Sequence, residues 1–431
     1  MSAGPTWRSG AQVVTGVVAL LAVTACPPPP VADIDPPPPA PSTRPDAAPP
    51  PAVPVLHEPM GSYDFAGREA LVESIIESPF KYLRFTSRGF AKRVCALFGD
   101  VLPSLPTVNL HGDAHLEQFA VTSTGFGLVD FDDATAGPAV IDLVRFAVSL
   151  NVAAAARGWE ASGAIDDFFA GYRTALHHPN AELELPAFVE HARSQSNDPL
   201  VFLARSEALM APLSEKDRVD ALAAFARYVD LMVASDPSRS PGFFELESIG
   251  HLRGGVGSAL DHRLLARIEG PTAAPEDDVI LEAKELQDMR DVSCVRAELV
   301  GGRFRTIVGR ARLGNGTDPF LALIPRGPDQ SADAPPFWVQ SWLPDYRELD
   351  AETDLSSADE LEQVAFHVGV QLGRGHVLHI ATPFDAQLRR AELDMLRDRE
   401  ARIREAIDQL TDETMRSWQV FREQAPSGMD R

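Results

Sequence analysis

The stretch that decides the fold reads His-Gly-Asp-Ala-His-Leu-Glu-Gln at 111–118 and, a short way on, Asp-Phe-Asp-Asp-Ala at 130–134. An apolar run leads into each part, which predicts a short buried strand before each acidic cluster. Residues at the ends of neighbouring strands meet in one cleft, so we expect Asp113 and Asp130 to be neighbours. Several carboxylates at one place repel each other and are tolerated chiefly where a cation or a proton is shared. The sequence therefore predicts an oxygen-rich site of the kind that suits magnesium.

Outward from this stretch the pattern is helical, then rich in strands, then helical again. Apolar residues at helical spacing predict helices at 64–98 (with a break at Ser78-Pro79), 139–157, 162–176, 184–194, 215–234, 358–380 and 386–424. Strand-type residues predict strands at 108–110, 127–131, 243–253, 262–269, 278–284 and 336–342. This order predicts an α+β protein with a mainly helical lobe over 61–240, a smaller β-rich lobe over 241–345 and C-terminal helices over 346–431.

The joint pattern resembles the catalytic core of the aminoglycoside and choline kinase group. It is more closely similar to a bacterial family, domain of unknown function 2252, which is regarded as kinase-like. The motifs that carry the resemblance are Ser78-Pro79-Phe80 with Arg84, Gly112-Asp113-Ala114-His115-Leu116, Asp130-Phe131-Asp132-Asp133, Gly137-Pro138, Asp142-Leu143, Gly255-Val256-Gly257-Ser258 and Ala283-Lys284-Glu285.

The resemblance implies a role for each of these positions in phosphoryl transfer, whose catalysis is mostly positioning and electrostatics. Asp113 would be the catalytic base, with His111 beside it, and an ATP-like nucleotide and magnesium would be the cofactors. The metal ligands would be Asp130, Asp132 and Gln118, although such kinases usually have asparagine where this chain has Gln118. The nucleotide phosphates would contact Lys284, Gly255, Gly257 and Ser258, and His115 and Asp142 would support the site from behind.

The order of these motifs along the chain departs from that of ordinary kinases, in which the glycine loop and its lysine come first. Here Gly255 and Lys284 follow Asp113 and Asp130. We therefore expect a circularly permuted, two-lobed protein-kinase-like fold in which Lys284 points into the cleft of Asp130. The alternative is an unrelated sheet over 243–342 with Lys284 on its surface.

Three functions are compatible with these residues. The first is a magnesium-dependent phosphotransferase acting on a small molecule. The second is an exported pseudokinase-type protein that binds a ligand or partner without catalysis, since nucleoside triphosphates are scarce outside the cytoplasm. The third is a metal-dependent hydrolase using His111, Asp113 and His115 with Asp130.

The N-terminus predicts export and a lipid anchor. An apolar run at 13–23 is too short to span a bilayer and is typical of a signal peptide over 1–25. It ends in Val-Thr-Ala-Cys at 23–26, which resembles the lipobox of bacterial lipoproteins, so Cys26 is the predicted lipidation site. The proline-rich segment within 26–60 predicts a semi-rigid spacer that holds the domain off a membrane. The alternatives are a plain signal peptide, or a start at Met60.

The net charge, the cysteines and two further histidines also bear on which partners the protein can have. The net charge of −23 disfavours nucleic acid, and the sequence leaves the oligomeric state open. Cys95 and Cys294 are expected to be buried and unpaired, although export would permit a disulfide. His376 and His379 lie on one turn of a predicted helix, where core or surface packing is favoured over a metal site.

Overall fold

The computed structural model describes residues 56–63, 65, 68–194, 198–252, 262–286, 289–296, 304–314, 318–326, 336–378 and 383–425. All of them belong to one compact unit, 53–431. The helices in these ranges are α1 (Glu69–Glu77), α2 (Pro79–Phe85), α3 (Ser87–Leu97), α4 (Val140–Arg157), α5 (Ser162–His177), α6 (Ala187–Ser194), α7 (Pro199–Ala208), α8 (Glu215–Ser235), α9 (Arg305–Leu313), α10 (Ala358–Val377) and α11 (Phe384–Gln424).

The strands form three antiparallel sheets. Their bounds are β1 (Val108–Leu110), β2 (Phe119–Val121), β3 (Phe126–Leu128), β4 (Thr135–Gly137), β5 (Met210–Ala211), β6 (Leu246–Leu252), β7 (Arg263–Ile268), β8 (Val279–Glu285), β9 (Ala322–Ile324), β10 (Phe337–Trp342) and β11 (Arg347–Glu348). The largest sheet has the order β5-β6-β7-β8-β10-β9, and the two smaller ones have the orders β1-β4 and β11-β2-β3.

Several helix starts follow directly from local sequence. Ser78, Ser214 and Ser357 each accept a hydrogen bond from a backbone N–H of the first turn, at α2, α8 and α10 respectively. These caps satisfy donors that have no partner within the helix. The break predicted at Ser78-Pro79 is therefore the junction of α1 and α2, where proline occupies the first helical position.

The larger hydrophobic core lies among the helices. Buried residues of α3, α4, α5, α10 and α11 form it together with residues of β1 and β2. Helix α4 is buried on nearly every side, which explains its almost uninterrupted apolar sequence. Helices α5 and α10 approach so closely that a Cβ added at Gly171 or Gly369 would meet the backbone of the facing helix.

A second core lies between α8 and one face of the six-stranded sheet. Ala221, Ala224 and Tyr228 of α8 pack there against alternate residues of β7, β8 and β10. Helix α8 precedes residue 241, the boundary expected from the sequence, yet it packs with the sheet. The opposite face carries Arg263, which lies beside Lys284 in the antiparallel register of β7 and β8.

The α+β class predicted from the sequence is confirmed by this mixture of helices and antiparallel sheets. The expectation of unpaired cysteines is wrong. Cys95 on α3 and Cys294 form a disulfide with a Cα–Cα distance of 5.6 Å across a separation of 199 residues. The segment that carries Cys294 is also bound to β4, because Arg296 N donates to Ala136 O at 2.6 Å.

Within the described part of the chain, the helices are too short or too polar to cross a membrane.

Candidate functional site

The loop after β1 is held from behind by a buried carboxylate. His111 N and Gly112 N donate to Asp142 on α4 at 2.7 and 2.9 Å. The His111 ring contacts Val129 O through Nε2 at 2.8 Å, so this ring fastens the loop to the end of β3. Gly112 has φ +89°, and a Cβ there would collide with the backbone oxygen of Asp133. Only glycine therefore permits the two acidic loops to touch.

Asp113 is paired with a buried arginine inside the helical core. Arg145 Nε on α4 donates to Asp113 Oδ1 at 2.5 Å, and the guanidinium also lies 5.2 Å from the centre of the Phe90 ring. Burial alone would raise the pKa of Asp113, but the charge of Arg145 lowers it well below its usual range. Asp113 Oδ2 receives no hydrogen bond from the described residues, and His115 Nε2 lies 3.6 Å from it. Asp113 is thus an ionised acceptor with one oxygen available.

His115 is neutral in this setting. Burial lowers its pKa to about 4, against the opposing charge of Asp113. Its ring lies edge-on to Phe80 with the ring centres 5.9 Å apart. His115 is therefore a packed, neutral imidazole beside Asp113.

The loop after β3 turns through a left-handed residue and contacts the sheet of the second core. Asp130 has φ +61°, the one positive value for a residue other than glycine in the described ranges. Lys284 Nζ on β8 lies 2.7 Å from both carboxylate oxygens of Asp130 and 2.9 Å from Asp132 Oδ2. The structure thus brings together three of the predicted site residues, from the loop after β3 and from strand β8.

The charges around Lys284 are shared unequally. Burial would lower the pKa of Lys284, but Asp130 and Asp132 raise it above its usual range. For Asp130, burial would raise the pKa and Lys284 lowers it further than that. The pKa of Asp132 is raised well above its usual range by burial and by Asp130. One lysine therefore neutralises one of the two carboxylates and leaves the second, Asp132, as the weaker acid.

Asp133 stands apart from these ion pairs. It is 7% exposed, and no described residue donates a hydrogen bond to its carboxylate. Burial and then the charge of Asp113 raise its pKa to about 6. Asp133 was not among the predicted site residues, yet it lies between the two clusters.

Of the remaining predicted site residues, Gln118 makes only a long contact with the site and the others lie outside the described residues. Gln118 is buried, and its Nε2 lies 3.5 Å from Asp130 Oδ2, which is a long contact. Gly255, Gly257 and Ser258, in the connection between β6 and β7, lie outside the described residues. Cys26 and His379 also lie outside them. Within the described ranges, no three His, Cys, Asp or Glu side chains are arranged to hold a metal ion.

Sequence reasoning missed two cations of the site. Arg145 holds Asp113, and Arg84, quoted only as part of a motif, has its Nη1 2.6 Å from Glu117 Oε2. The signal for Arg145 was its position within an otherwise apolar helix, because a charged residue there needs a buried partner.

Comparison with known families agrees with the resemblance in part of the chain. Residues 72–198 match the model of a family described as an uncharacterized protein conserved in bacteria (DUF2252). This range contains both acidic loops and α4, so the match supports that family for the part of the chain that carries Asp113 and Asp130. Comparison with curated proteins and with solved structures finds no match.

Proposed function

We propose that this chain is a membrane-tethered, kinase-like protein that acts as a magnesium-dependent phosphotransferase on a small molecule. The observation that carries the proposal is the contact of Lys284 Nζ with both oxygens of Asp130 at 2.7 Å. It joins the predicted phosphate-binding lysine to the predicted metal ligand, although the two lie 154 residues apart.

The sheet supports this assignment. In protein kinases a glycine-rich loop covers the phosphates and the lysine lies on the third strand. Here the connection between the neighbouring strands β6 and β7 contains Gly255 and Gly257, and Lys284 lies on the next strand, β8. These parts follow Asp113 in the chain, so the proposed fold is a circular permutation of the kinase arrangement.

Asp113 suits the role of orienting an acceptor hydroxyl. Arg145 keeps it ionised, and its Oδ2, which lies 3.6 Å from His115 Nε2, is the oxygen that has no donor from a described residue within hydrogen-bonding distance. A hydroxyl that donates to Oδ2 would be aligned without having to displace another donor. His111 contributes by fixing the loop, because its Nε2 is engaged by Val129 O.

The donor chemistry at Asp130 fits magnesium. Carboxylate oxygens are the ligands that this cation prefers, and Asp130 and Asp132 supply them. A half-turn of the Gln118 amide would direct its oxygen at the same place. Magnesium held there would neutralise phosphate charge, and Lys284 would then be released to the phosphates.

A second candidate is the pseudokinase-type protein that binds without catalysis. In active kinases the lysine pairs with a glutamate of the helix that follows its strand. Helix α9, the described helix that follows β8, has the sequence Arg-Thr-Ile-Val-Gly-Arg-Ala-Arg-Leu and contains no acidic residue. Lys284 is held by Asp130 and Asp132 instead, which favours a closed resting site.

The location is part of the proposal. The signal peptide, Cys26 and the proline spacer predict an exported lipoprotein, and the Cys95–Cys294 disulfide supports an oxidising compartment. Fractionation of cells that express Cys26→Ser tests the anchor. The wild type should be membrane-bound and the variant released, and equal solubility of the two would refute it.

Calorimetric titration of the purified full-length chain with MgATP tests the site. We expect binding by the wild type and roughly tenfold weaker binding by Asp130→Asn, about 1.4 kcal/mol. Asp408→Asn on α11 makes the same charge change at an exposed position and should bind like the wild type. Transfer of phosphate to any acceptor distinguishes the enzyme from the binding protein. Absence of MgATP binding by the wild type would refute the phosphotransferase.

A further inference from the structure

A chain of four buried polar side chains runs from the candidate catalytic loop to the C-terminal helix. Its members are Asp142 on α4, His376 on α10, Tyr172 on α5 and Glu392 on α11, and each is 0% exposed. His376 Nε2 lies 3.1 Å from Asp142 Oδ2, and His376 Nδ1 lies 2.8 Å from the Tyr172 hydroxyl. The same hydroxyl lies 3.0 Å from Glu392 Oε2. One continuous path of hydrogen bonds thus joins four helices.

The direction of the hydrogen bonds is set at the catalytic loop. The N–H groups of His111 and Gly112 can only donate, so Asp142 accepts from both. With both its oxygens already acting as acceptors, Asp142 also accepts from His376 Nε2–H. A neutral imidazole with its hydrogen on Nε2 has a lone pair on Nδ1. His376 Nδ1 therefore accepts from the Tyr172 hydroxyl.

This order determines the state of Glu392. A tyrosine hydroxyl has one hydrogen, and His376 receives it. The contact between Tyr172 and Glu392 Oε2 is then a hydrogen bond only if Glu392 carries a proton and donates it. The other oxygen, Glu392 Oε1, is buried and has no hydrogen-bond partner among the residues that the structure describes.

We propose that Glu392 is a positioning residue for the loop at 111–113, and that it acts as a neutral acid that donates the first hydrogen bond of this chain. An effect of Glu392 on catalysis rests on the proposed function, whereas its effect on the position of the loop does not. Glu392 reaches no substrate. It acts through Tyr172, His376 and Asp142 on the two amides that hold Asp113 in place.

The surroundings of Glu392 support its neutral form. Along the path of hydrogen bonds, its titratable neighbours are Tyr172 from α5, His376 from α10 and Asp142 from α4. None of the described contacts places a cation beside Glu392. Burial raises the pKa of Glu392 to about 8; only a hydrogen bond donated by Tyr172 would act against this, and in this arrangement Tyr172 donates to His376 instead. An ionised Glu392 would draw the Tyr172 hydrogen to itself, and His376 Nδ1 would lose its donor. The alternative, in which the proton moves to His376 and Tyr172 donates to Glu392, leaves a buried carboxylate that has one hydrogen bond and no cation.

Two substitutions separate the neutral acid from a merely buried side chain. Glu392→Gln keeps a donor, the amide N–H, and cannot ionise. Glu392→Leu keeps the size and removes the donor. Glu405→Gln, at an exposed position of the same helix, is the matched control.

The measurement is amide hydrogen exchange at His111 and Gly112 in the full-length chain from pH 6 to 9, expressed as protection factors, with the ¹⁵N shifts of His376 as a second readout. In the wild type and in Glu405→Gln, protection should fall and the His376 shifts should change around pH 8. In Glu392→Gln both should stay constant and wild-type-like. In Glu392→Leu protection should be roughly threefold to tenfold lower at every pH.

The proposal is overturned if Glu392→Gln behaves like Glu392→Leu, or if the wild type keeps constant protection and constant His376 shifts throughout this range. MgATP titration of the same variants gives a separate answer. If the wild type does not bind MgATP, the proposed function fails while the exchange data still decide the role of Glu392. If it binds, Glu392→Leu should bind more weakly than Glu392→Gln.

Discussion

The two acidic loops of the site are neutralised in different ways. Asp113 is paired with Arg145, and both lie in the helical core, where the side chains are 9% and 0% exposed. Asp130 is paired with Lys284, which comes from the sheet of the other core. The Asp130 side chain is 26% exposed and that of Lys284 is 4% exposed. The first pair is internal to one core, whereas the second joins two.

This difference separates a permanent charge from an exchangeable one. A buried pair cannot lose one partner without leaving an uncompensated charge in a place that water does not reach. A pair whose carboxylate is partly exposed can exchange its cation, because solvent or another cation can replace it. We therefore expect Arg145 to be structural and Lys284 to be the group that responds to a ligand.

The largest effect is expected at the internal pair. Arg145→Met should lower the free energy of unfolding by about 3–5 kcal/mol, because Asp113 would remain buried without its cation. Denaturant unfolding at neutral pH measures this. Arg397→Met, at an exposed arginine of α11, is the control and should leave the midpoint nearly unchanged. A small effect of Arg145→Met would mean that Asp113 is not dependent on its pair.

The second-largest effect on the free energy of unfolding is expected at the disulfide between Cys95 and Cys294. Removing the disulfide with Cys95→Ala and Cys294→Ala should cost about 2–4 kcal/mol, because the bond closes a long loop in the unfolded chain. A thiol reductant should lower the unfolding midpoint of the wild type and leave that of the double variant unchanged. If the reductant has no effect on the wild type, the bond is not formed.

The third-largest effect on the free energy of unfolding is expected from protonation of Asp133, which lies between the two loops. The pKa of Asp133 is raised to about 6 in the folded chain, by burial and then by Asp113, so the folded state binds a proton that the unfolded state has lost. Its contribution to stability is complete below about pH 4 and disappears as the pH rises through 6, on the order of 2–3 kcal/mol in all.

Asp133→Asn should abolish this part of the pH dependence. The measurement is the unfolding free energy of wild type and variant from pH 4 to 7, with Asp408→Asn as the exposed control. Parallel curves for wild type and Asp133→Asn would show that Asp133 titrates normally.

Sequence patterns predicted most elements but few of the partners that hold the site. Val108–Leu110 is the strand that the sequence predicted, and the predicted helix at 139–157 is α4. The spacing of apolar residues shows which face of a helix or strand is buried. That information is local in the sequence, and it was sufficient to predict these two elements. The pairing of Cys95 with Cys294 depends on proximity across 199 residues, which no local pattern contains.

The hydrogen-bonded side chains that link Glu392 to the loop at 111–113 were missed for a related reason. Glu392 lies on the apolar face of α11, between Leu388 and Leu396 at helical spacing, and a carboxyl group at such a position requires a buried partner. That signal was present in the sequence. The identity of the partner, Tyr172, depends on the packing of α11 against α5 and could not be predicted from it.

The smallest effect on stability, and the sharpest test of the comparison, is expected at the pair between the cores. Lys284→Met should cost about 1–2 kcal/mol, less than Arg145→Met, because water reaches Asp130 and relieves its lost pairing. Its effect on ligands should have opposite signs. Without nucleotide, magnesium no longer competes with the ammonium for Asp130 and Asp132, so titration with Mg²⁺ alone should show tighter binding than in the wild type. With MgATP, the variant lacks the cation that contacts the phosphates and should bind more weakly. Lys216→Met, at an exposed position of α8, should change neither. If Lys284→Met weakened both, the lysine would be a structural support like Arg145, and the distinction between the two pairs would fail.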